Sequence, residues 1–216
     1  MKFYNSLGPN PRLVRMFLFE KGLEIDTVEV DIMSGENRQD AYLEKNPMGE
    51  LPCLELDDGS ILSQTIAICE YLDETRDGPT LVGDTPEARA TTRMWIRNCE
   101  AKINDPLTNG FRWAEGLGMF KDRRHCVPHA ADDMKEMARQ GLRWLDERIA
   151  GRDYIAGDEF GLADILVYCF LDFGTGIGQP LDPSLGNVKA WFERVATRDS
   201  AEASLHPVAK AGGMRA

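Results

Sequence analysis

Two short runs in this chain place a group suited to pairing with a peptide backbone close to a group suited to a carboxylate. In Leu51-Pro52 the proline gives no N–H to a strand ladder. In its cis form it also turns the preceding amide outward, where the main chain of an extended ligand can pair with it. Further on, Ser63-Gln64-Thr65 opens an apolar helical run through Ile66, Ile68, Cys69, Tyr71 and Leu72. The first N–H groups of such a helix lack intrahelical acceptors, and its dipole makes that end positive. A carboxylate binds well there. Between the two runs, Asp57-Asp58-Gly59 is flanked by Leu54, Leu56, Ile61 and Leu62, a strong hairpin signal because glycine takes the positive φ. The combination describes a receptor for an anionic, peptide-like ligand.

The elements that must hold these runs can be read from periodicity. Lys2 to Tyr4 predicts a short strand, followed by a turn-rich loop, Asn5-Ser6-Leu7-Gly8-Pro9-Asn10-Pro11. A helix is predicted from Pro11 or Arg12 to Lys21, with Leu13, Val14, Phe17 and Leu18 as its apolar face and Gly22 as its C-cap. Thr27 to Ile32 alternates as a half-buried strand, with Val28, Val30 and Ile32 on one face. Gln39 to Lys45 reads as a short helix. This order of elements predicts a thioredoxin-like α/β domain with a right-handed crossover.

Asp77-Gly78-Pro79 ends that pattern, and Thr85 with Pro86 caps a new helix. From there only helical periodicity follows. One helix is predicted over Ala88 to Ile103, interrupted before Pro106, and others over Ala130 to Ile149 and Val188 to Thr197. Leu162 to Phe173 is apolar nearly all round, hence central. The predicted organisation is therefore residues 1–78, a linker over 79–86, and an all-helical domain over 87–216.

The run Asn46-Pro47-Met48-Gly49-Glu50-Leu51-Pro52, its hairpin, and then Gln64-Thr65, Ala67-Ile68 and Tyr71-Leu72 resemble the ligand-binding half of the cytosolic glutathione transferases. Asp158-Glu159-Phe160-Gly161-Leu162-Ala163-Asp164-Ile165 is similar to a second family signature, so the likeness spans nearly the whole chain. Gly161 departs from the family's Ser or Thr and cannot make the side-chain half of a capping box, but Asp164 can still accept from the free N–H groups.

The resemblance implies that glutathione is held by the main chain of Leu51, with Pro52 fixing its geometry. The γ-glutamyl carboxylate would meet Thr65 and the amino end Gln64, while Arg38 is within the region from which a cation could reach the glycine carboxylate. Gln64 stands where many members carry Glu, which gives up charge attraction to the ammonium. The family places its thiol-activating donor between the first strand and first helix. The usual Tyr, Ser or Cys is absent in register here: Tyr4 lies within the strand and the loop has no Cys. The available donors are Ser6 and Asn10, although Asn10-Pro11 reads equally well as a helix cap. The resemblance also implies a second-substrate pocket in the helical domain, with Phe111, Arg112 and Trp113 as its candidate residues, and a homodimer. Core packing is the competing reading for Trp113.

Composition limits the alternatives. The 216 residues are 43% hydrophobic, enough for a buried core, and no apolar run approaches membrane-spanning length. A net charge of −11 disfavours nucleic acid and anionic membrane surfaces as partners. Met1 to Asn5 leads straight into a strand without a secretory signal, which predicts a cytoplasmic protein. Five cysteines without a Cys-x-x-Cys pair support neither a zinc site nor a dithiol centre, and His125 and His129 lack further ligands in register; no metal is expected. The predicted activity is attack of the glutathione thiolate on a small hydrophobic electrophile. Disulfide or peroxide reduction on the same site, and a non-catalytic binding or assembly module, are the alternatives.

Overall fold

The structure, a computed structural model, describes residues 1–216. Two compact units emerge, Met1–Val82 together with Arg198–Ala216, and Gly83–Thr197. The first carries β1 (Lys2–Asn5), α1 (Pro9–Lys21), β2 (Asp26–Glu29), α2 (Asp40–Leu43), β3 (Cys53–Glu55), β4 (Ile61–Ser63) and α3 (Thr65–Thr75). The four strands are ordered β2-β1-β3-β4, with β2 parallel to β1 and the β1/β3 and β3/β4 pairs antiparallel. This is the thioredoxin-like arrangement. Side-chain alternation loads both faces of the sheet. Phe3 and Leu54 are buried with Leu13, Phe17, Ile68 and Leu72, while Tyr4 and Cys53 pack with Val30 and Tyr42.

A buried ion pair ties this unit together. Lys21 Nζ lies 3.0 Å from Asp73 Oδ1, joining the end of α1 to α3, and donates to the Pro79 carbonyl at 3.1 Å. Asp73 also accepts the Leu81 and Val82 N–H groups at 3.1 and 3.2 Å. Gly22, in the left-handed conformation at φ 67°, closes α1 by the predicted C-cap.

The second unit contains α4 (Pro86–Cys99), α5 (Asp105–Arg112), α6 (Leu117–Phe120), α7 (Ala131–Arg148), α8 (Leu162–Gly176) and α9 (Gly186–Ala196). Thr85 caps α4, its hydroxyl accepting from Ala88 N at 3.1 Å. Helix α8 is buried from Leu162 through Gly174. The predicted break before Pro106 is instead a π-turn over Glu100–Asn104 that leads into α5. Pro106 has no N–H for the Lys102 carbonyl, and the backbone widens rather than ending. That carbonyl faces Gly141 of α7, where a Cβ would sit only 2.1 Å away.

Two further helices, α10 (Asp199–Ala203) and α11 (Pro207–Ala211), follow. Residues 198–216, expected from periodicity in the helical domain, group with the first unit. Helical periodicity identifies an element without naming its partner.

Asp164 does the capping work that Gly161 cannot share. Its fully buried carboxylate accepts from Gly161 N at 3.0 Å, Ile155 N at 2.9 Å and Trp191 Nε1 at 2.7 Å. Burial nevertheless pushes its pKa up to about 6, above that of an unfolded aspartate. The folded state therefore binds this proton more tightly, and the contribution is largest below about pH 4 and lost as pH rises through about 6. Chemical denaturation across pH 4 to 7 should show D164N with a shallower pH dependence than the wild type. D164A, which strands the buried Ile155 and Trp191 donors and the part-buried Gly161 N–H, should lose at least about 3 kcal/mol.

Candidate functional site

The cleft is built on the segment between α2 and β3. Asn46, almost completely buried, donates from Nδ2 to the Glu50 carbonyl at 2.8 Å and accepts Met48 N on Oδ1 at 3.2 Å. The Tyr42 hydroxyl reaches the same Glu50 carbonyl at 2.8 Å, and Asn37 Nδ2 donates to the Gly49 carbonyl at 2.5 Å. Three buried side chains thus fix carbonyls of a turn that has no ladder of its own. The Leu51-Pro52 bond that follows is cis. Leu51 N–H takes no acceptor within the protein.

Opposite this edge stands the start of α3. Gln64, just before it, is the one residue other than glycine with positive φ, at 74°. Such a conformation costs on the order of 1–3 kcal/mol and persists only where its surroundings impose it. No side chain caps α3, so the N–H groups of its first turn point out unanswered by a cap. Asn10, Asn46, Met48, Glu50, Leu51, Pro52, Ser63, Gln64 and Thr65 line one cleft of about 340 Å³, counting the open space at its mouth.

Of the residues predicted from sequence, Asn10, Leu51, Pro52, Gln64 and Thr65 share this cleft, and Ser6 and Arg38 do not line it. Ser6 is buried, and its hydroxyl donates to the Val30 carbonyl at 2.6 Å. Arg38 is exposed at the end of a 3-10 turn, Glu36–Arg38. Sequence reasoning missed Asn46, Met48, Glu50 and Ser63 as lining residues. The signal was present, since all four lie in or beside the same two runs, but nothing in a pattern shows which side chains turn inward to hold the turn.

The position of Asn10 differs in a way that matters. Helix α1 begins at Pro9, so Asn10 sits inside the first turn rather than at the cap, and no side chain caps the helix. The cap reading is therefore displaced. Pro9 and Pro11 have no N–H, which leaves Asn10 as the residue whose main chain and side chain supply donors at this helix mouth.

Other groups near the cleft are disposed against thiol chemistry. Tyr4 donates its hydroxyl to Glu55 Oε2 at 2.6 Å, and burial together with that bond raises its pKa. Cys53, following Pro52, is held protonated because burial pushes its thiol up. The Tyr42 hydroxyl lies 3.4 Å from its sulfur.

In the helical unit, Phe111 packs its ring 5.5 Å from Phe173 and 6.2 Å from Phe120, and the Arg112 guanidinium lies 5.5 Å from the Phe120 ring centre. Trp113 is half-buried just beyond the end of α5. His125 and His129 are both exposed, and four of the five free cysteines are buried.

Comparison with known proteins gives a consistent result. Residues 8–75 match the family model described as glutathione S-transferase, N-terminal domain, and residues 121–199 match the glutathione S-transferase, C-terminal domain. Glutathione S-transferase 2 of Saccharomyces cerevisiae is 31% identical over 92% of this chain and 86% of its own length. Maleylacetoacetate isomerase of Pseudomonas aeruginosa is 33% identical over 78% of each chain. Among solved structures, a glutathione S-transferase domain-containing protein from Marinobacter aquaeolei superposes with a TM-score of 0.87 at 37% identity, covering 93% of this chain and 99% of that one. Gtt2 from Saccharomyces cerevisiae superposes with a TM-score of 0.87 at 30% identity, covering 95% and 100%.

The clamp on the turn has a measurable consequence. N46A removes a buried donor and acceptor and should lower stability by about 1–3 kcal/mol. Amide exchange in N46A should quicken at residues 48–51 before it quickens in β1 or β3; uniform acceleration across the unit would show that Asn46 does not hold this turn in particular.

Proposed function

The chain belongs to the cytosolic glutathione transferase superfamily, and from that premise we propose that it binds glutathione along the Leu51 edge and ionises its thiol beside Asn10. The observation that carries this reading is the convergence on one cleft of Asn10, the Leu51 main chain and the uncapped start of α3. In the pose we propose, the cysteinyl segment of glutathione pairs with the Leu51 amide. Its γ-glutamyl carboxylate accepts from the Thr65 hydroxyl and the first N–H groups of α3, with Gln64 at the amino end.

Chemistry follows from the thiol. A free thiol with pKa near ~8.5 is a few per cent ionised at neutral pH. Lowering that value by about two units takes roughly 2.7 kcal/mol of preference for the thiolate. The Asn10 side-chain amide, its N–H and the dipole of α1 are the donors available for this, with no proton transfer to the protein required. The thiolate would then attack an electrophilic carbon of a small hydrophobic substrate, with Phe111, Arg112 and Trp113 retained as candidate contacts for it.

The isomerase relative favours a second reading on the same site, thiolate addition to a conjugated double bond followed by elimination, which changes its geometry without net transfer. Disulfide or peroxide reduction would begin with the same thiolate. Assays with an aryl halide, a conjugated cis-dienoic acid and a mixed disulfide separate these outcomes. Absence of glutathione binding at millimolar concentration would leave only the non-catalytic module.

Titration of the bound thiolate by its ultraviolet absorbance tests the site itself. N10A should raise the apparent thiol pKa by about one unit and lower turnover roughly threefold at neutral pH. S6A, whose hydroxyl is engaged by Val30, should cost about 1 kcal/mol of stability and leave the thiol far less affected than N10A. An unmoved thiol pKa in N10A would remove Asn10 from the mechanism.

A further inference from the structure

The residues beyond 199 lie outside both matched family domains, yet residues 198–216 group with the unit that carries the cleft. Their attachment is polar and specific. Arg198 forms a two-pronged pair with Glu20, Nε to Oε1 and Nη2 to Oε2, each at 2.7 Å, and the Ser200 hydroxyl joins the same carboxylate. Arg12, 0% exposed, donates to the Ala201 carbonyl at 2.9 Å, the Ser204 hydroxyl at 3.3 Å and the Arg215 carbonyl at 3.1 Å.

Arg15, one turn further along α1, faces two ways. Its Nε donates to the Ser204 carbonyl at 2.8 Å, while Nη1 donates to Asn5 Oδ1 at 2.7 Å and to the Ser6 carbonyl at 3.0 Å. Asn5 and Ser6 begin the loop that leads to Asn10. The same stretch is held from the other side, where Asn5 Nδ2 donates to Glu29 at 2.5 Å and the Asn5 carbonyl accepts from Val30 N at 2.9 Å. Glu29 in turn meets His206 Nε2 at 3.1 Å.

Between Ser6 and Asn10 the chain has little with which to hold itself. Pro9 and Pro11 contribute no N–H, and the first helical bond, Arg12 N to the Gly8 carbonyl, is 3.2 Å long. The Asn10 side chain is therefore placed by the first turn of α1, and the loop that leads into that turn is fixed at Ser6, whose carbonyl Arg15 holds from within the same helix. A donor that stabilises a thiolate must be held to within about 0.5 Å by groups that do not themselves touch the ligand.

We propose that Arg15 is a positioning residue for the thiol-activating loop, and that residues 198–216 are the strap against which its guanidinium is braced. The proposal rests on the glutathione reading above and deepens it. A planar guanidinium can span the strap and the loop at once, whereas an ammonium is a single point of charge. The glutathione holders Leu51, Gln64 and Thr65 belong to other elements, so loss of Arg15 should separate thiol activation from glutathione affinity.

The test compares R15K with E20Q, which weakens the strap's first anchor while the three bonds from Arg12 still hold it. R15Q repeats the comparison if R15K does not fold. R15K should raise the pKa of bound glutathione by about half a unit or more and, assayed near pH ~5.5 below that pKa, lower kcat about threefold, with KM for glutathione within about twofold. E20Q should lose stability in urea with the thiol pKa unmoved. A lowered thiol pKa in the wild type that stays unmoved in R15K would make Arg15 a fold element only. Equal shifts in R15K and E20Q would assign the effect to general loosening and overturn the proposal. A wild type that binds no glutathione, or leaves its thiol at the free value, would overturn the functional reading first and this proposal with it.

Discussion

The Leu51 main-chain N–H takes no acceptor within the protein, and the features around it accommodate that constraint. At the Leu51 edge the polypeptide is not held by a ladder, because Pro52 carries no N–H and β3 begins only at Cys53. The protein solves this with buried side chains. Asn37, Tyr42 and Asn46 donate to the carbonyls of Gly49 and Glu50, fixing the turn from behind while the Leu51 N–H is left without an acceptor. Burying those polar groups costs free energy unless each is paired, so the turn and its clamp must form together. The positive φ at Gln64 is held by the same economy of support, between the end of β4 and the first turn of α3.

The surrounding unit supplies the rigidity that such a turn requires. Both faces of the small sheet are covered, so β1 and β3 have no freedom to slide. The Lys21–Asp73 pair is buried on both sides and takes three main-chain groups of residues 79–82 as further partners. A buried ion pair of this kind is weak as a source of net stability but severe in the arrangements it forbids. In that sense it sets the spacing of α1 and α3, the two helices whose N-terminal ends line the cleft.

Much of the fold was legible because local rules agree with one another. Pro52, the Asp57-Asp58-Gly59 hairpin, Gly22 and the Thr85-Pro86 cap each act over a few residues, and the structure uses each one as its chemistry dictates. Where the reading departed, a tertiary partner intervened. Pro106 ought to break a helix, yet Gly141 of α7 leaves room for the freed Lys102 carbonyl and the backbone widens instead. Asn10-Pro11 ought to begin a helix at Pro11, yet the helix begins two residues earlier, at Pro9, and turns Asn10 from a cap into a cleft residue. Ser6 shows the same limit, since its hydroxyl is taken by the carbonyl of Val30, just beyond the end of β2, whose nearness no spacing reveals.

The amino-acid sequence by itself determined the thioredoxin-like order of elements, the outward-facing edge and the helix mouth, since these depend on backbone propensities confined to neighbouring residues. Tertiary structure alone decided which polar side chains bond within the protein and which line the cleft. It likewise decided that residues 198–216 return to α1 rather than complete the helical unit. A hydroxyl, an amide or a guanidinium reads identically in a sequence whether it faces solvent or a carbonyl far away along the chain. Only the folded geometry sets that difference, because the strength of a hydrogen bond depends on distances of a few tenths of an ångström.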